Sequence, residues 1–184
     1  MKQPKVAVIM GSDSDFPVVK KAIKVLKDMD IDVEARVISA HRTPDQAAEF
    51  AGKARDNGFD VIIAAAGMAA HLPGVLAAYT TVPVIGIPIK GSMLDGMDAL
   101  LSIVQMPPGI PVATVGIDGA RNAGLLAVQI LSLKYTQIVE KLENFRSSMA
   151  AEVKKKGCKD REGDRPYMKK LDLLYEGKAK KVYK

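Results

Sequence analysis

Five short apolar runs, rich in Val and Ile, punctuate the first 120 residues at fairly even spacing: 6–10, 33–38, 61–66, 82–89 and 112–117. Most do not alternate with polar residues. A strand with one wet face alternates, whereas a strand covered on both faces reads as a continuous apolar run, the signature of a parallel sheet. Parallel neighbours need a crossover of a dozen or more residues, usually a helix. The gaps hold helical patterns. In 16–29, Val18, Val19, Ala22, Leu26 and Met29 recur at three- and four-residue intervals, with Lys20, Lys21, Lys24 and Lys27 mostly on the other side. In 43–57, Pro44 sits at the helix start, Thr43 is the expected N-cap and Gly58 the expected stop. Stretches 93–105 and 122–145 complete the set, the last being the longest. Strand and helix in alternation predict an α/β three-layer αβα sandwich with right-handed crossovers.

Charge marks where that domain ends. The chain has 27 Lys and Arg against 21 Asp and Glu, a net charge of +6. Taken whole, such an excess points to nucleic acid or a membrane surface. Its placement removes that reading: residues 1–150 carry 15 basic and 15 acidic residues, and 151–184 carry 12 and 6. The expectation is a neutral catalytic domain over 1–150, a basic linker over 151–170 and a separate tail over 171–184, with neither nucleic acid nor membrane as partner. The lone Cys158 supports neither an internal disulfide framework nor a cysteine metal site. The N-terminus does not read as a signal peptide, and the apolar runs stop well short of the about 18 residues of a membrane span. A cytoplasmic setting is the expectation.

In such a sheet the loops leaving the carboxyl ends of the strands line the ligand crevice. The first is Gly11-Ser12-Asp13-Ser14-Asp15, with hydroxyls and carboxylates at a helix N-terminus. The hydroxyls and free N–H groups suit a phosphate, and a carboxylate suits a ribose diol. Plain helix capping explains the same residues. The second is Ser39-Ala40-His41-Arg42-Thr43-Pro44. Imidazole titrates near neutrality, so a histidine here is a candidate proton shuttle, and the Arg42 fork suits phosphate or carboxylate. The third, Gly67-Met68-Ala69-Ala70-His71-Leu72-Pro73-Gly74, places the second histidine among small residues that let backbone approach a ligand. Pro88-Ile89-Lys90-Gly91-Ser92 and 116–122 follow the last two strands. Together the loops point to a phosphorylated, ribose-bearing ligand and proton-transfer chemistry.

The first three loops and the stretch Ser102-Ile103-Val104-Gln105-Met106-Pro107 closely resemble the class I N5-carboxyaminoimidazole ribonucleotide mutase family, also known as the catalytic subunit of phosphoribosylaminoimidazole carboxylase. The resemblance runs in order over about 5–150, and the His-Arg-Thr-Pro and Ala-His-Leu-Pro-Gly pair is its most specific part. Class II relatives, which carboxylate aminoimidazole ribonucleotide directly with CO2, usually have Lys at the Arg42 position and lack the His-Leu-Pro-Gly loop. This sequence sides with class I at both places.

The resemblance implies a flavodoxin-like fold of about five parallel strands and a mutase of de novo purine biosynthesis. It implies movement of a carboxylate from the exocyclic nitrogen to ring carbon C4, by CO2 release and recapture, with no cofactor and no metal. It implies catalytic roles for His41 and His71, Ser12, Ser14, Ser39 and Arg42 on the 5′-phosphate, Asp15 on the ribose, and Gly67, Ala70 and Leu72 about the imidazole and migrating carboxylate. It implies a homo-octamer, for which the apolar stretch 125–133 offers surface beyond one helix face, although core packing accounts for that stretch equally. Ala65 and Met68 stand where glycines are common in the family, and Lys90-Gly91 where Gln-Ser is frequent, which bears on pocket shape. Two other readings of the same loops are direct carboxylation with CO2 and a non-catalytic nucleotide-binding module. Residues 173–183 resemble the first strands of SAICAR synthetase, which implies a fusion of two enzymes of one pathway.

Overall fold

The apolar runs pair side by side. The computed structural model describes residues 3–91, 93–159, 173–177 and 180–183. Strands β1 (Lys5–Met10), β2 (Asp32–Val37), β3 (Val61–Gly67), β4 (Val84–Ile89) and β5 (Ala113–Thr114) form one parallel sheet in the order β2-β1-β3-β4-β5. Between them run helices α1 (Phe16–Asp28), α2 (Pro44–Lys53), α3 (Leu72–Tyr79) and α4 (Met97–Val104), followed by α5 (Ala120–Ser132) and α6 (Gln137–Lys159). This is the flavodoxin-like doubly wound order, which reverses direction between β1 and β3.

Successive strand residues point to opposite faces. Ala7, Ile9, Ile62 and Ala64 face a core shared with Phe50, Phe59, Leu72, Leu76 and Ile103 from α2, α3, α4 and the loop before β3. On the other face, α1 packs against α5 and α5 against β3 and β4. Two glycines set these distances. A Cβ on Gly124 would stand 3.0 Å from Val25 Cβ, so α5 reaches α1 only through a bare backbone. A Cβ on Gly86 would stand 2.4 Å from Ile103 Cγ2, which fixes how closely α4 lies on β4.

Departures from the sequence pattern have local causes. β2 is an edge strand with Glu34 and Arg36 paired on its surface, so it is largely exposed rather than covered on both faces. α3 begins inside the stretch 67–74 read as a loop; Pro73 is at home in its first turn. The stretch expected as one helix over 122–145 breaks between Ser132 and Gln137. There Tyr135 turns inward, its hydroxyl donating to Asp60 Oδ2 at 3.0 Å, while Lys134 Nζ stands 2.8 Å from Asp60 Oδ1. Thr43 makes no side-chain cap; its hydroxyl donates to the Ser39 carbonyl at 3.0 Å and accepts from the Ser39 N–H at 3.1 Å, bracing the loop instead.

The chain divides into two compact units, Met1–Leu142 and Glu143–Lys184. α6 continues to Lys159, through residues read as the start of a linker, and 160–172 lie outside the described residues. In the second unit β6 (Leu173–Gly177) and β7 (Lys180–Tyr183) form an antiparallel pair with Gly177 opposite Lys180. Among the described residues, no helix is long and apolar enough to cross a membrane.

Candidate active site

A cavity of about 550 Å³ opens at the carboxyl ends of β1 to β4, across the point where the strand order reverses. The loop after β1 supplies its first wall. Ser12 caps the short turn Asp13–Asp15: its Oγ accepts from the Ser14 N–H at 3.3 Å, and Asp15 Oδ2 accepts from the Ser12 N–H at 3.2 Å. The Ser14 hydroxyl donates to Ser12 Oγ at 2.9 Å. Asp15 is 8% exposed, and burial pushes its carboxyl above the ordinary aspartate value; the Ser12 N–H works against that rise and Asp13 adds to it. A carboxylate held this way, short of water and with one oxygen committed to the backbone, is primed to accept hydrogen bonds from a diol.

The loop after β2 supplies the opposite wall. Arg42 ties the two loops together: its backbone N–H and Nε donate to Ser39 Oγ at 3.2 and 3.4 Å, and Nη2 donates to the Gly11 carbonyl at 3.1 Å. A guanidinium has five N–H donors, so these bonds orient the fork and leave further donors for an anion. Ser12, Ser14, Ser39 and Arg42 thus stand at one end of the cavity. His41 is exposed and lines the same cavity.

The floor comes from β3 and the loop after it, with Ala66, Gly67, Met68, Ala70 and Leu72. Met68 holds φ at +55°, a left-handed conformation that costs a side chain about 1 kcal/mol or more, at a position where the sequence resemblance expects glycine. The sequence signals for site and fold therefore converge: Ser12, Ser14, Asp15, Ser39, His41, Arg42, Gly67, Ala70 and Leu72 all line one cavity. His71 sits beside the cavity. Its Nδ1 meets the Ser102 carbonyl on α4, its ring lies against Gly74, and it is not part of the lining. A carbonyl only accepts, so Nδ1 carries the proton.

The fourth wall comes from the loop that the sequence placed after the fourth strand, with Ile89, which ends β4, and with Lys90 and Gly91. The backbone N–H of Lys90 donates to Asp118 Oδ1 at 2.9 Å, and the Asp118 N–H donates to the Pro88 carbonyl at 2.8 Å. The signal for this wall in the sequence was position: Lys90 directly follows a strand, in a loop at the same sheet end as the other site loops. Among the described residues, no three His, Cys, Asp or Glu side chains stand together as metal ligands would.

A doubly wound sheet with a cavity at its switch point that gathers hydroxyls, a guanidinium and an imidazole is the arrangement of an α/β enzyme. The chain belongs to the AIR carboxylase family, whose profile matches residues 5–152. It is 66% identical over 146 residues to the N5-carboxyaminoimidazole ribonucleotide mutase of Pyrococcus abyssi, covering 79% of this chain and 84% of that one. The mutase of the same name from Thermotoga maritima is 54% identical over 153 residues, covering 83% and 90%. The phosphoribosylaminoimidazole carboxylase of Candida glabrata is 52% identical over 159 residues, but the match covers 86% of this chain and 28% of that longer protein. Among solved structures, Treponema denticola PurE superposes with a TM-score of 0.76 at 28% identity, covering 85% of this chain and 98% of that one.

Proposed function

We propose that this chain is an N5-carboxyaminoimidazole ribonucleotide mutase acting in purine biosynthesis. The observation that carries the reading is the convergence of His41, the Ser12-Ser14-Ser39-Arg42 group and the buried Asp15 on one cavity. The high identity to relatives bearing that name supports it.

In this reading the 5′-phosphate lies against Ser12, Ser14, Ser39 and Arg42, and Asp15 accepts from the ribose hydroxyls. That leaves the imidazole base over Gly67, Ala70 and Leu72, within reach of His41. Protonated His41 gives its proton to the exocyclic nitrogen as the N–C bond of the carbamate breaks and CO2 departs. The electron-rich C4 of the resulting aminoimidazole then attacks CO2, forming the new C–C bond. Neutral His41 takes the C4 proton, which restores the ring and the protonated imidazole. No net proton is consumed. The small residues of the β3 loop confine CO2 between the two steps by leaving little room for water.

His71 acts in this scheme by holding the β3 loop. The mutase acts in the cytoplasm and works as a homo-octamer; association is supported by the apolar side chains that α4 and the loop before it expose, among them Met93, Leu94, Met97 and Leu101. Analytical ultracentrifugation tests it: an eightfold mass supports the octamer, and a monomer refutes it. The catalytic domain spans 1–150, and the β6–β7 pair supports reading the tail as the opening of a SAICAR-synthetase-like unit. The test of function is turnover of N5-carboxyaminoimidazole ribonucleotide against aminoimidazole ribonucleotide with bicarbonate; rapid use of the first alone is expected.

A further inference from the structure

We infer that Lys90 is a specificity-determining residue that binds the carboxylate carried by the base, opposite the phosphate end of the cavity. The inference rests on the mutase reading of the site.

Among the described residues of the lining, the Arg and Lys side chains are Arg42 and Lys90, His41 being the proton carrier. They stand at opposite ends. Arg42 follows β2 and Lys90 follows β4, strands three steps apart in the order β2-β1-β3-β4, or about 14 Å at roughly 4.8 Å per step; the Arg42 fork reaches back to the Gly11 carbonyl after β1, two steps from β4. Arg42 is bound to the β1 and β2 loops, where the hydroxyls gather. Lys90 adjoins the small-residue loop instead: Gly67 pairs with Ile89, its immediate neighbour, and a Cβ on Gly91 would lie 3.9 Å from Met68 Cγ. A ribonucleotide with a carboxylate on its base carries its two anions at its two ends, and the cavity offers one cation to each.

The backbone at Lys90 is fixed while its side chain is not. Asp118 holds the N–H, and Gly96, at φ +88°, folds back so closely that a Cβ there would stand 3.1 Å from Lys90 Cα. The Lys90 side chain is 57% exposed, and its ammonium pairs at 3.0 Å with Asp95, whose side chain is 84% exposed. An ion pair this exposed contributes little, so a ligand carboxylate in a drier site displaces Asp95 readily. Asp95 is then a parking partner that keeps the ammonium at the rim between turnovers.

The test is calorimetric binding to the full chain, comparing 4-carboxy-5-aminoimidazole ribonucleotide with aminoimidazole ribonucleotide, which lacks the carboxylate. Lys90→Gln is expected to weaken the carboxylated ligand about tenfold or more, the worth of one charge-assisted hydrogen bond, and to leave the other within about twofold. Lys90→Arg keeps the preference. Equal weakening of both ligands, or of neither, overturns the inference. Failure of the wild-type chain to convert N5-carboxyaminoimidazole ribonucleotide overturns the mutase reading instead, and the two failures are read from different samples.

Discussion

The imidazole of His71 binds the main-chain carbonyl of Ser102, and so fastens the loop after β3 to α4. The ring lies in the space where Gly74 has no side chain; a Cβ at Gly74 would land 1.9 Å from Nε2. Ser102 is held in turn, its hydroxyl donating to the Asp98 carbonyl one turn earlier at 2.8 Å. His71 thus acts on the cavity through Ala70 and Leu72, its neighbours in sequence, which do line it.

A fastening role and a proton-transfer role give different variants. In His71→Asn the amide nitrogen occupies the place of Nδ1 and still donates to Ser102, so turnover stays within about fivefold of wild type. His71→Ala loses the bond and lets the loop shift, costing roughly 10²-fold in kcat, as misplacement by about an ångström does. Gly74→Ala expels the ring and follows His71→Ala. The kcat/KM pH profile of His71→Asn keeps the wild-type shape. A collapse of activity in His71→Asn equal to that in His71→Ala contradicts the assignment.

Asp15 exchanges stability for binding. Its carboxyl is raised by burial, so the folded state resists ionising it. A raised folded value means the folded chain is penalised once pH rises above the unfolded value, most fully above the folded one. Asp15→Asn removes the charge while its amide oxygen still accepts from Ser12. At pH 7 this variant is expected to melt at or above the wild-type temperature while KM rises roughly tenfold. A lower melting temperature with unchanged KM refutes the ribose role.

Asp60 makes the opposite pH prediction. Burial pushes its carboxyl up, but hydrogen bonds from Lys134 Nζ, the Lys5 N–H and the Tyr135 hydroxyl outweigh burial and hold it below the ordinary value of 3.8. Its contribution is therefore complete above that value and fades as pH falls through the lower folded one. Asp60→Asn costs about 1–3 kcal/mol at pH 7 by leaving these donors without a charged acceptor. Acid denaturation monitored by circular dichroism should show a shallower loss of stability in the variant below about pH 4. An unchanged acid slope contradicts the account.

The sheet was legible because burial on both faces writes itself as uninterrupted Val and Ile, as in 61–66. β2 was less so: at the edge, Glu34 and Arg36 pair with each other across open surface, and nothing in a six-residue run says which strand ends the sheet. The elbow at 133–136 was hidden because Tyr135 is buried for a partner, Asp60, that lies 75 positions away. Most of the cavity was legible because the residues that suit phosphate and ribose follow strands directly. The setting of His71 was not legible, since a histidine beside a site and a histidine inside it share one sequence, and its partner, the Ser102 carbonyl, leaves no residue-type signal. Lys90 was read as a loop residue that departs from a family pattern, without a role of its own; strand order places it on the wall away from the β2 loop.

His41 carries the central claim, and the decisive measurement is the conversion of N5-carboxyaminoimidazole ribonucleotide by wild type and His41→Asn, with substrate affinity measured alongside. Wild type should turn over the N5-carboxylated substrate far faster than aminoimidazole ribonucleotide with bicarbonate. His41→Asn should bind with near wild-type affinity and lose about 10²- to 10⁴-fold in kcat, the range for general acid–base catalysis. Turnover by His41→Asn near the wild-type rate, or a wild-type preference for aminoimidazole ribonucleotide and bicarbonate, contradicts the account.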